Sequence, residues 1–294
     1  MQKDLVTVLI PAFNRIDYID EAIHSVQAQK CAALELIVID DGSTDGTYEH
    51  LKQLASEGIL TLLTHEGRAN RGQAAALNVG IQAASGEYIA ILDSDDYFAV
   101  TKLEQQLAFL QSNPELGMVY GNGQAVDASG AELFKTLPKN HDEEGDPNRI
   151  LLDCYIALPG GALIRQSVLS QIGGFDEGFR AAQDHDMAIR IFEVCRVAYL
   201  PEVAFFYRKH GDSISQNGLE RRWKIGFEIL NRAAKRWPYK PETLRKRRAV
   251  LNFRLAQTYR VQGRYFPALL CLLKSALGDP VRAFKVLTGS EKIR

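Results

Sequence analysis

Short apolar, β-branched runs alternate with helix-length segments along the first 92 residues. The runs are LVTVLI at 5–10, LELIVI at 34–39, residues 59–64 and EYIAIL at 87–92, and each ends at a polar or turn-forming cluster. Helical periodicity is expected over about 17–29, 45–56 and 72–84. This alternation predicts an α/β domain with a parallel sheet and helices on both sides.

Polar loops follow three of the predicted strands directly. They are Pro11–Arg15, Asp40–Thr47 and Asp93–Asp96. In open parallel sheets, ligands bind beyond the carboxyl ends of the strands, where loops are free to vary. We therefore expect these three loops to lie along one edge of the sheet and to form one site.

The rest of the chain changes character twice. Residues 118–135 predict a hairpin or two strands around a turn at Asp127–Gly130. From Leu219 the pattern is helical, with Pro238, Pro241, Gly263 and Asp279-Pro280 marking helix boundaries. We predict a domain over 1–218 and a helical C-terminal extension over 219–294.

Charge separates these two regions. The net charge of the 294 residues is -1, but residues 219–294 hold 19 Lys and Arg against 5 Asp and Glu, and the remainder holds 16 against 31. A basic extension predicts a polyanionic neighbour, either nucleic acid or an anionic membrane; alternatively, it docks on the acidic body.

Three aromatic residues and one leucine in the extension favour a membrane over nucleic acid as its partner, because they follow a helical pattern and match no recognisable nucleic-acid module. With their basic neighbours they would form an interfacial face, although they would serve equally well as core contacts. The residues are Trp223, Phe227, Leu230 and Trp237, beside Arg221, Arg222, Lys224, Lys235 and Arg236.

The N-terminus runs from Met1 into the first strand without the pattern of a signal peptide, and FPALLCLL at 266–273 is too short to span a bilayer. We expect a cytoplasmic protein with peripheral contact at the inner face of the membrane. The four cysteines lie far apart, so no spacing typical of zinc sites or redox pairs is present.

The stretch ILDSDDYF at 91–98 carries three aspartates directly after a strand. Like charges this close repel and cost stability unless a cation is held among them. A helix cap would explain one of the acids but not three. The loop IDDGSTDGT at 39–47 has the chemistry of a turn and cap, and its adjacent pair Asp40 and Asp41 also suits the imide proton of uracil or thymine.

Three segments together closely resemble glycosyltransferase family two, whose members have the GT-A fold and move a sugar from a nucleotide diphosphate to an acceptor. They are VTVLIPAFNR at 6–15, VIDDGSTDGT at 38–47 and RANRGQAAALNVGIQAASGEYIAILDSDD at 68–96. The resemblance extends over about residues 4–215. It implies a nucleotide site, with Asp40 or Asp41 on the base. The other residues that it places at the nucleotide are Pro11, Ala12, Asn14, Arg15, Arg71, Asp93 and Ser94.

The resemblance also implies a metal site. Asp93 would reach the ribose, and Asp95 would hold Mg²⁺ or Mn²⁺ on the phosphates, with Asp93 and Asp96 as further candidate ligands. Oxygen ligands suit both ions, and a bridging cation neutralises the departing diphosphate. The late segment FYRKHGDSIS at 206–215 adds His210 as a candidate third ligand and Arg208 or Lys209 as phosphate contacts.

Transfer to a hydroxyl with inversion needs a general base. The segment AAQDHDMAIR at 181–190 resembles the family's acidic helix-entry motif, but Gln183 stands where glutamate is common. Asp184 matches the catalytic aspartate, and Asp186 is the second candidate; helix capping is the alternative for both. Upstream, Gly160 and Gly161 would let the backbone approach the sugar.

These observations predict a metal-dependent inverting glycosyltransferase that uses a UDP or dTDP sugar and a carbohydrate or lipid-linked acceptor in surface polysaccharide or glycolipid synthesis. A nucleotide-sugar-binding scaffold without turnover is the alternative. A nucleotidyltransferase would require a glycine-rich loop after the first strand, and PAFNR contains no glycine.

Overall fold

The computed structural model describes residues 1–30, 33–209 and 218–287. The chain forms two compact units. The sheet unit comprises Met1–Asp146 and Tyr155–Gly211, and the helical unit comprises Pro147–Cys154 and Asp212–Arg294. The predicted boundary at 218/219 stays a prediction, since the helical unit also takes a segment from the middle of the chain.

The first half of the sheet is parallel, as predicted. Its strands are β1 (Gln2–Ala12), β2 (Leu34–Asp40), β3 (Thr61–Thr64) and β4 (Gly86–Ile91), in the order β3-β2-β1-β4. The intervening helices are α1 (Ile19–Gln27), α2 (Thr47–Ser56) and α3 (Gln73–Ala83), with a 3-10 helix at Glu66–Arg68. The centre of β1 is buried on both faces, which explains why its apolar residues form an uninterrupted run.

The second half of the sheet is mixed. Its strands are β5 (Tyr97–Phe98), β6 (Leu116–Val126), β7 (Glu132–Lys135), β8 (Ala162–Arg165) and β9 (Arg196–Arg208). They continue the order as β4-β8-β6-β9-β5, with β7 on β6. β8 is antiparallel to both β4 and β6, whereas β6 and β9 are parallel. The prediction of a parallel sheet therefore holds for the first four strands and for the β6–β9 pair.

The predicted hairpin is present as β6 and β7. Oδ1 of Asp127 accepts the N–H groups of Ser129 (2.8 Å) and Ala131 (3.0 Å), which closes the turn. So short a connection can only join antiparallel strands.

Four further helices complete the sheet unit: α4 (Lys102–Ser112), the short irregular α6 (Leu158–Gly161), α7 (Gln166–Ile172) and α8 (Gln183–Val194). Glycine lets α3 pack closely on the sheet, because a Cβ at Gly80 would lie 2.8 Å from Cδ1 of Ile39 and 3.0 Å from Cδ2 of Leu9. This packing fixes α3, whose first residues face the strand ends.

The helical unit contains α5 (Pro147–Leu152), α9 (Leu219–Arg236), α10 (Pro241–Val261), α11 (Tyr265–Gly278) and α12 (Pro280–Leu287). The predicted helix boundaries are confirmed. Arg247 on α10 donates from Nη1 to the carbonyl of Leu152 at 2.9 Å, which ties α5 to the C-terminal helices. Among the described residues, no helix is both long and apolar enough to cross a membrane.

The aromatic face predicted on α9 is mostly a core face. Trp223 and Phe227 pack against Leu255, Tyr259 and Ala268, and Leu230 is buried. Trp237 is 36% exposed. For three of the four, this packing favours the alternative that they are core contacts over the interfacial face.

Candidate active site

The three predicted loops meet at one edge of the sheet. The strands that carry them, β2, β1 and β4, are neighbours. The backbone N–H of Arg15 donates to Oγ1 of Thr47 at 2.9 Å, and its Nε lies 3.3 Å from Oδ2 of Asp95. Arg15 therefore joins the loop after β1 to the loops after both neighbouring strands.

Two buried aspartates shape the loop after β2 by accepting hydrogen bonds from backbone N–H groups. Oδ2 of Asp40 accepts the N–H groups of Gly42 (3.1 Å) and Ser43 (3.2 Å). Asp41 accepts the N–H of Arg71 on Oδ1 (2.7 Å) and that of Gly72 on Oδ2 (2.8 Å). Both aspartates thus order the loops themselves, and a role of either on the base stays a prediction.

The remaining residues predicted at the nucleotide lie around these loops. Asn14 accepts the N–H of Thr44 on Oδ1 at 2.8 Å, and Pro11 and Ala12 are buried at the end of β1. Arg71 has an exposed side chain, and Ser94 is buried. Pro11 and Ala12 can therefore offer a ligand little more than backbone, whereas Asn14 and Arg71 reach solvent.

The acidic loop after β4 concentrates negative charge. Burial raises the pKa of Asp93 to about 7, assisted by the charges of Asp95 and Asp184 and opposed by a hydrogen bond from Gln73 and the charge of Arg15. Burial, with Asp93 and Asp95, also raises the pKa of Asp96 well above its ordinary value. A cation among these carboxylates would relieve the repulsion between them.

Arg208, the last residue of β9, supports the acidic loop. The backbone N–H of Arg208 donates to Oδ1 of Asp96 at 2.9 Å, and its Nε donates to the carbonyl of Asp95 at 3.2 Å. Its guanidinium also pairs with Glu21. Arg208 is buried, so it positions the loop instead of reaching out to a phosphate. His210 lies outside the described residues.

Helix α8 brings its two aspartates into different surroundings. Asp184 lies close enough to Asp93 for its charge to raise the pKa of Asp93. Asp186 is buried and accepts from Nε of Arg190 at 2.8 Å, and Nη1 of Arg190 donates to the carbonyl of Gly174 at 2.9 Å. Asp186 thus makes a structural bond to Arg190, and the role of Asp184 as the base stays a prediction.

Two glutamines connect α8 to the acidic loop. Nε2 of Gln183 donates to Oε1 of Gln73 at 2.8 Å, and Nε2 of Gln73 donates to Oδ1 of Asp93 at 2.7 Å. Within the described part of the chain, Oε1 of Gln183 is buried and accepts no hydrogen bond. Gln73 was not among the residues predicted from sequence. Its position at the start of α3, beside the strand ends, is the feature that could have indicated a role in the site.

The glycine pair at 160–161 has a packing role. Gly160 has φ of 79°, and a Cβ there would lie 2.3 Å from the ring of Phe205. This contact explains glycine at position 160 without a sugar.

The carboxylates fit a hard divalent cation. Among the described residues, no group of three or more His, Cys, Asp or Glu side chains is arranged to hold a metal. Mg²⁺ needs only one or two carboxylates, since waters and substrate phosphates complete its shell, and Mn²⁺ accepts the same oxygen ligands. Asp93 and Asp95 supply such a pair.

Solved structures with the same fold define the class. The chain resembles S. aureus TarS 1–349 in complex with UDP-GlcNAc, with a TM-score of 0.72, 17% identity, and coverage of 97% of this chain and 92% of that one. It also resembles the mannosyltransferase PcManGT from Pyrobaculum calidifontis in complex with GDP-Man and Mn²⁺, with a TM-score of 0.62, 22% identity, and coverage of 97% and 79%. The fold is that of the GT-A glycosyltransferases.

Sequence comparison identifies the family. The family model described as Glycosyl transferase family 2 matches residues 7–173. A putative teichuronic acid biosynthesis glycosyltransferase of Bacillus subtilis, TuaG, is 43% identical over 234 residues, which cover 77% of this chain and 89% of that protein. Of three other curated relatives the chain spans only 25%, 52% and 23% of the length. The chain belongs to glycosyl transferase family 2, so the predicted family and enzyme class are confirmed.

Proposed function

We propose that this glycosyltransferase is metal-dependent and inverting, and that it transfers a sugar from a UDP or dTDP sugar to a hydroxyl group. The carrying observation is that Asp95 and Asp184 lie near buried Asp93, where burial, assisted by their charges, raises the pKa of Asp93 to about 7. The complexes of TarS with UDP-GlcNAc and of PcManGT with GDP-Man and Mn²⁺ support a nucleotide-sugar donor and a divalent cation.

Asp95 and Asp93 would hold Mg²⁺ or Mn²⁺, with His210 as a further candidate ligand. When bound, the cation neutralises charge on the departing diphosphate. Arg15, 3.3 Å from Asp95, keeps that carboxylate oriented. The bond from Gln73 stabilises the ionised form of Asp93, the form that binds a metal.

Asp184 would be the general base. Its carboxylate takes the proton of the acceptor hydroxyl while that oxygen forms a bond to the anomeric carbon. The bond from this carbon to the diphosphate oxygen breaks, and its electron pair leaves with the diphosphate. Asp186 is less suited to this step, because Arg190 already occupies its carboxylate.

The acceptor is a carbohydrate or a lipid-linked saccharide, and the process is the synthesis of a surface polysaccharide or glycolipid. The relationship to TuaG, named for teichuronic acid biosynthesis, supports this part of the proposal. A cytoplasmic location, where nucleotide sugars are at hand, belongs to the same proposal.

The first prediction separates donor binding from chemistry. Asp95→Asn should abolish Mn²⁺-dependent binding of UDP, because an amide replaces the metal-binding carboxylate. Asp184→Asn should leave that binding intact and slow transfer by a factor on the order of 10³, the usual contribution of a general base. Calorimetry with UDP and Mn²⁺ measures binding, and release of UDP from a panel of UDP, dTDP, GDP and CMP sugars measures turnover.

Glu104→Gln, the same acid-to-amide change on the exposed side of α4, is the control and should change neither quantity. Normal transfer by Asp184→Asn would remove the assignment of the base. Tight donor binding without turnover of any sugar by the wild-type protein would favour the non-catalytic alternative.

A further inference from the structure

The last two described helices expose a continuous apolar surface. Seven large apolar side chains of α11 and two of α12 are between 42% and 82% exposed. They are Tyr265, Phe266, Leu269, Leu270, Leu272, Leu273, Leu277, Val281 and Phe284. At 3.6 residues per turn, the seven on α11 occupy one side of that helix. We call these nine residues the α11–α12 face.

The α11–α12 face is not needed for the core of its own unit. The opposite side of α11 packs inward through Ala268 and Cys271 against Leu255 and Tyr259 of α10. Soluble monomers rarely expose so many large apolar side chains side by side, and such surfaces mark interaction sites. The face therefore needs an apolar partner.

Charge around the α11–α12 face points to an anionic partner. Between residues 260 and 285 the chain has five basic residues, Arg260, Arg264, Lys274, Arg282 and Lys285, and one acidic residue, Asp279. All five basic side chains are exposed. Oδ1 of Asp279 accepts the N–H of Arg282 at 3.1 Å, so this acid is used as the cap of α12.

Other occupants match less well. In a second copy of the chain, the same face would bring two strongly basic surfaces together. The sheet unit is acidic, but its exposed large apolar residues, such as Met1, Val100, Phe134 and Val194, lie on separate elements. Nucleic acid would satisfy the charge and leave five leucines in water.

We propose that the α11–α12 face docks on an anionic bilayer, with its apolar side chains among the acyl chains and its basic residues at the headgroups. Helices with one apolar side and a basic border bind membranes in this manner. The membrane-binding element is thus α11 with α12, and not the α9 face predicted from sequence.

Vesicle flotation with the full chain tests the proposal. The protein should float with vesicles of phosphatidylcholine and phosphatidylglycerol and stay behind with phosphatidylcholine alone, and added salt should weaken binding. Phe266→Gln/Leu273→Gln/Leu277→Gln should abolish flotation. Lys274→Gln/Arg282→Gln/Lys285→Gln should weaken it on the order of a hundredfold, since each basic residue near an anionic surface contributes about fivefold.

Val100→Gln/Leu133→Gln/Phe134→Gln is the matched control, because it replaces three exposed apolar residues of the sheet unit. It should float like the wild type. All variants should retain their melting temperature and their binding of UDP with Mn²⁺, which shows that they fold. Phe266→Trp should give a blue-shifted emission that brominated lipid quenches only in anionic vesicles.

Three results would overturn the proposal: no flotation of the wild type, equal flotation with neutral and anionic vesicles, or flotation that survives both triple substitutions. Light scattering without lipid tests the alternative that a second copy of the chain binds the α11–α12 face. A wild-type dimer that the Phe266→Gln/Leu273→Gln/Leu277→Gln variant converts to a monomer would assign the face to a second copy of the chain.

Discussion

Gln183 gives the site an amide at the position where the resemblance to the family implies a glutamate. Burial, assisted by the charges of Asp95 and Asp184, already raises the pKa of Asp93 to about 7. A fourth negative group at position 183 would add to that repulsion. Through Gln73, the amide of Gln183 supports ionised Asp93 without adding charge.

The raised pKa of Asp93 predicts a pH-dependent stability of the metal-free protein. The unfolded chain releases this proton near pH 4 and the folded chain near pH 7, so folding binds a proton between these values and stability falls as pH rises through them. Asp93→Asn should remove this loss. Its free energy of unfolding relative to wild type, measured by urea unfolding, should rise by a few kcal/mol from about pH 4.5 to about pH 7 and then level off.

Gln73→Leu is the companion variant. It removes the hydrogen bond that lowers the pKa of Asp93, so the pH midpoint of the wild-type stability loss should move upward. Gln105→Leu, on an exposed position of α4, should leave the midpoint unchanged. A wild-type protein and an Asp93→Asn variant with parallel pH profiles would show that Asp93 has an ordinary pKa.

At the scale of single residues, the sequence predicted which residue types form the site better than it predicted which residues bond to one another. Asp95 and Asp184 lie close enough to Asp93 for their charges to raise its pKa, and the roles of all three stay predictions. The bonds of Asp41 to Arg71 and Gly72, and the link between Gln183 and Gln73, join positions 30 and 110 residues apart. No local pattern encodes such pairs, because they depend on how the strands are ordered in the sheet.

At the scale of secondary-structure elements, strands were predictable where burial left an uninterrupted run of apolar residues. The first four strands are apolar runs because helices cover both faces of the parallel sheet. β8 is only four residues long and enters between β4 and β6 in the antiparallel direction. Its position depends on long-range pairing, so local periodicity could not reveal the mixed half of the sheet.

Gly160 tests the packing between α6 and β9. Gly160→Ala should lower the free energy of unfolding by about 3 kcal/mol, because it combines a left-handed backbone with a Cβ 2.3 Å from the buried ring of Phe205. Gly130→Ala has a similar φ of 83° and no atom within 4 Å, and should cost only about 1 kcal/mol. Urea unfolding measures both values. Equal losses would mean that the Phe205 contact has no energetic weight.

For the whole molecule, composition predicted a body with an extension but not the way the chain divides between them. The helical unit recruits Pro147–Cys154 from inside the sheet unit's sequence. Ile150 and Leu151 of this segment are buried, and α5 packs on α10. The charge count and the helical pattern begin at Leu219, so they could not show that Pro147–Cys154 belongs to the helical unit.

Truncation at the predicted boundary should therefore produce a defective fragment. Residues 1–218 retain α5 without α10, so Ile150 and Leu151 become exposed, and the fragment should bind the dye ANS and aggregate. Ile150→Ser/Leu151→Ser in the fragment should restore solubility, whereas Leu133→Ser/Phe134→Ser, at exposed positions of β7, should not. A well-behaved unmodified fragment would show that α5 does not depend on the C-terminal helices.

The bond between Arg247 and Leu152 also constrains how such proteins diversify. Recombination that replaces everything after one breakpoint near residue 218 would import α9 to α12 but leave the old α5 behind. The new helices would then meet a segment selected for a different partner. Inheritance of the helical unit without residues 155–211 thus requires three crossovers, two around Pro147–Cys154 and one near residue 212, which favours gradual divergence of this region over wholesale exchange.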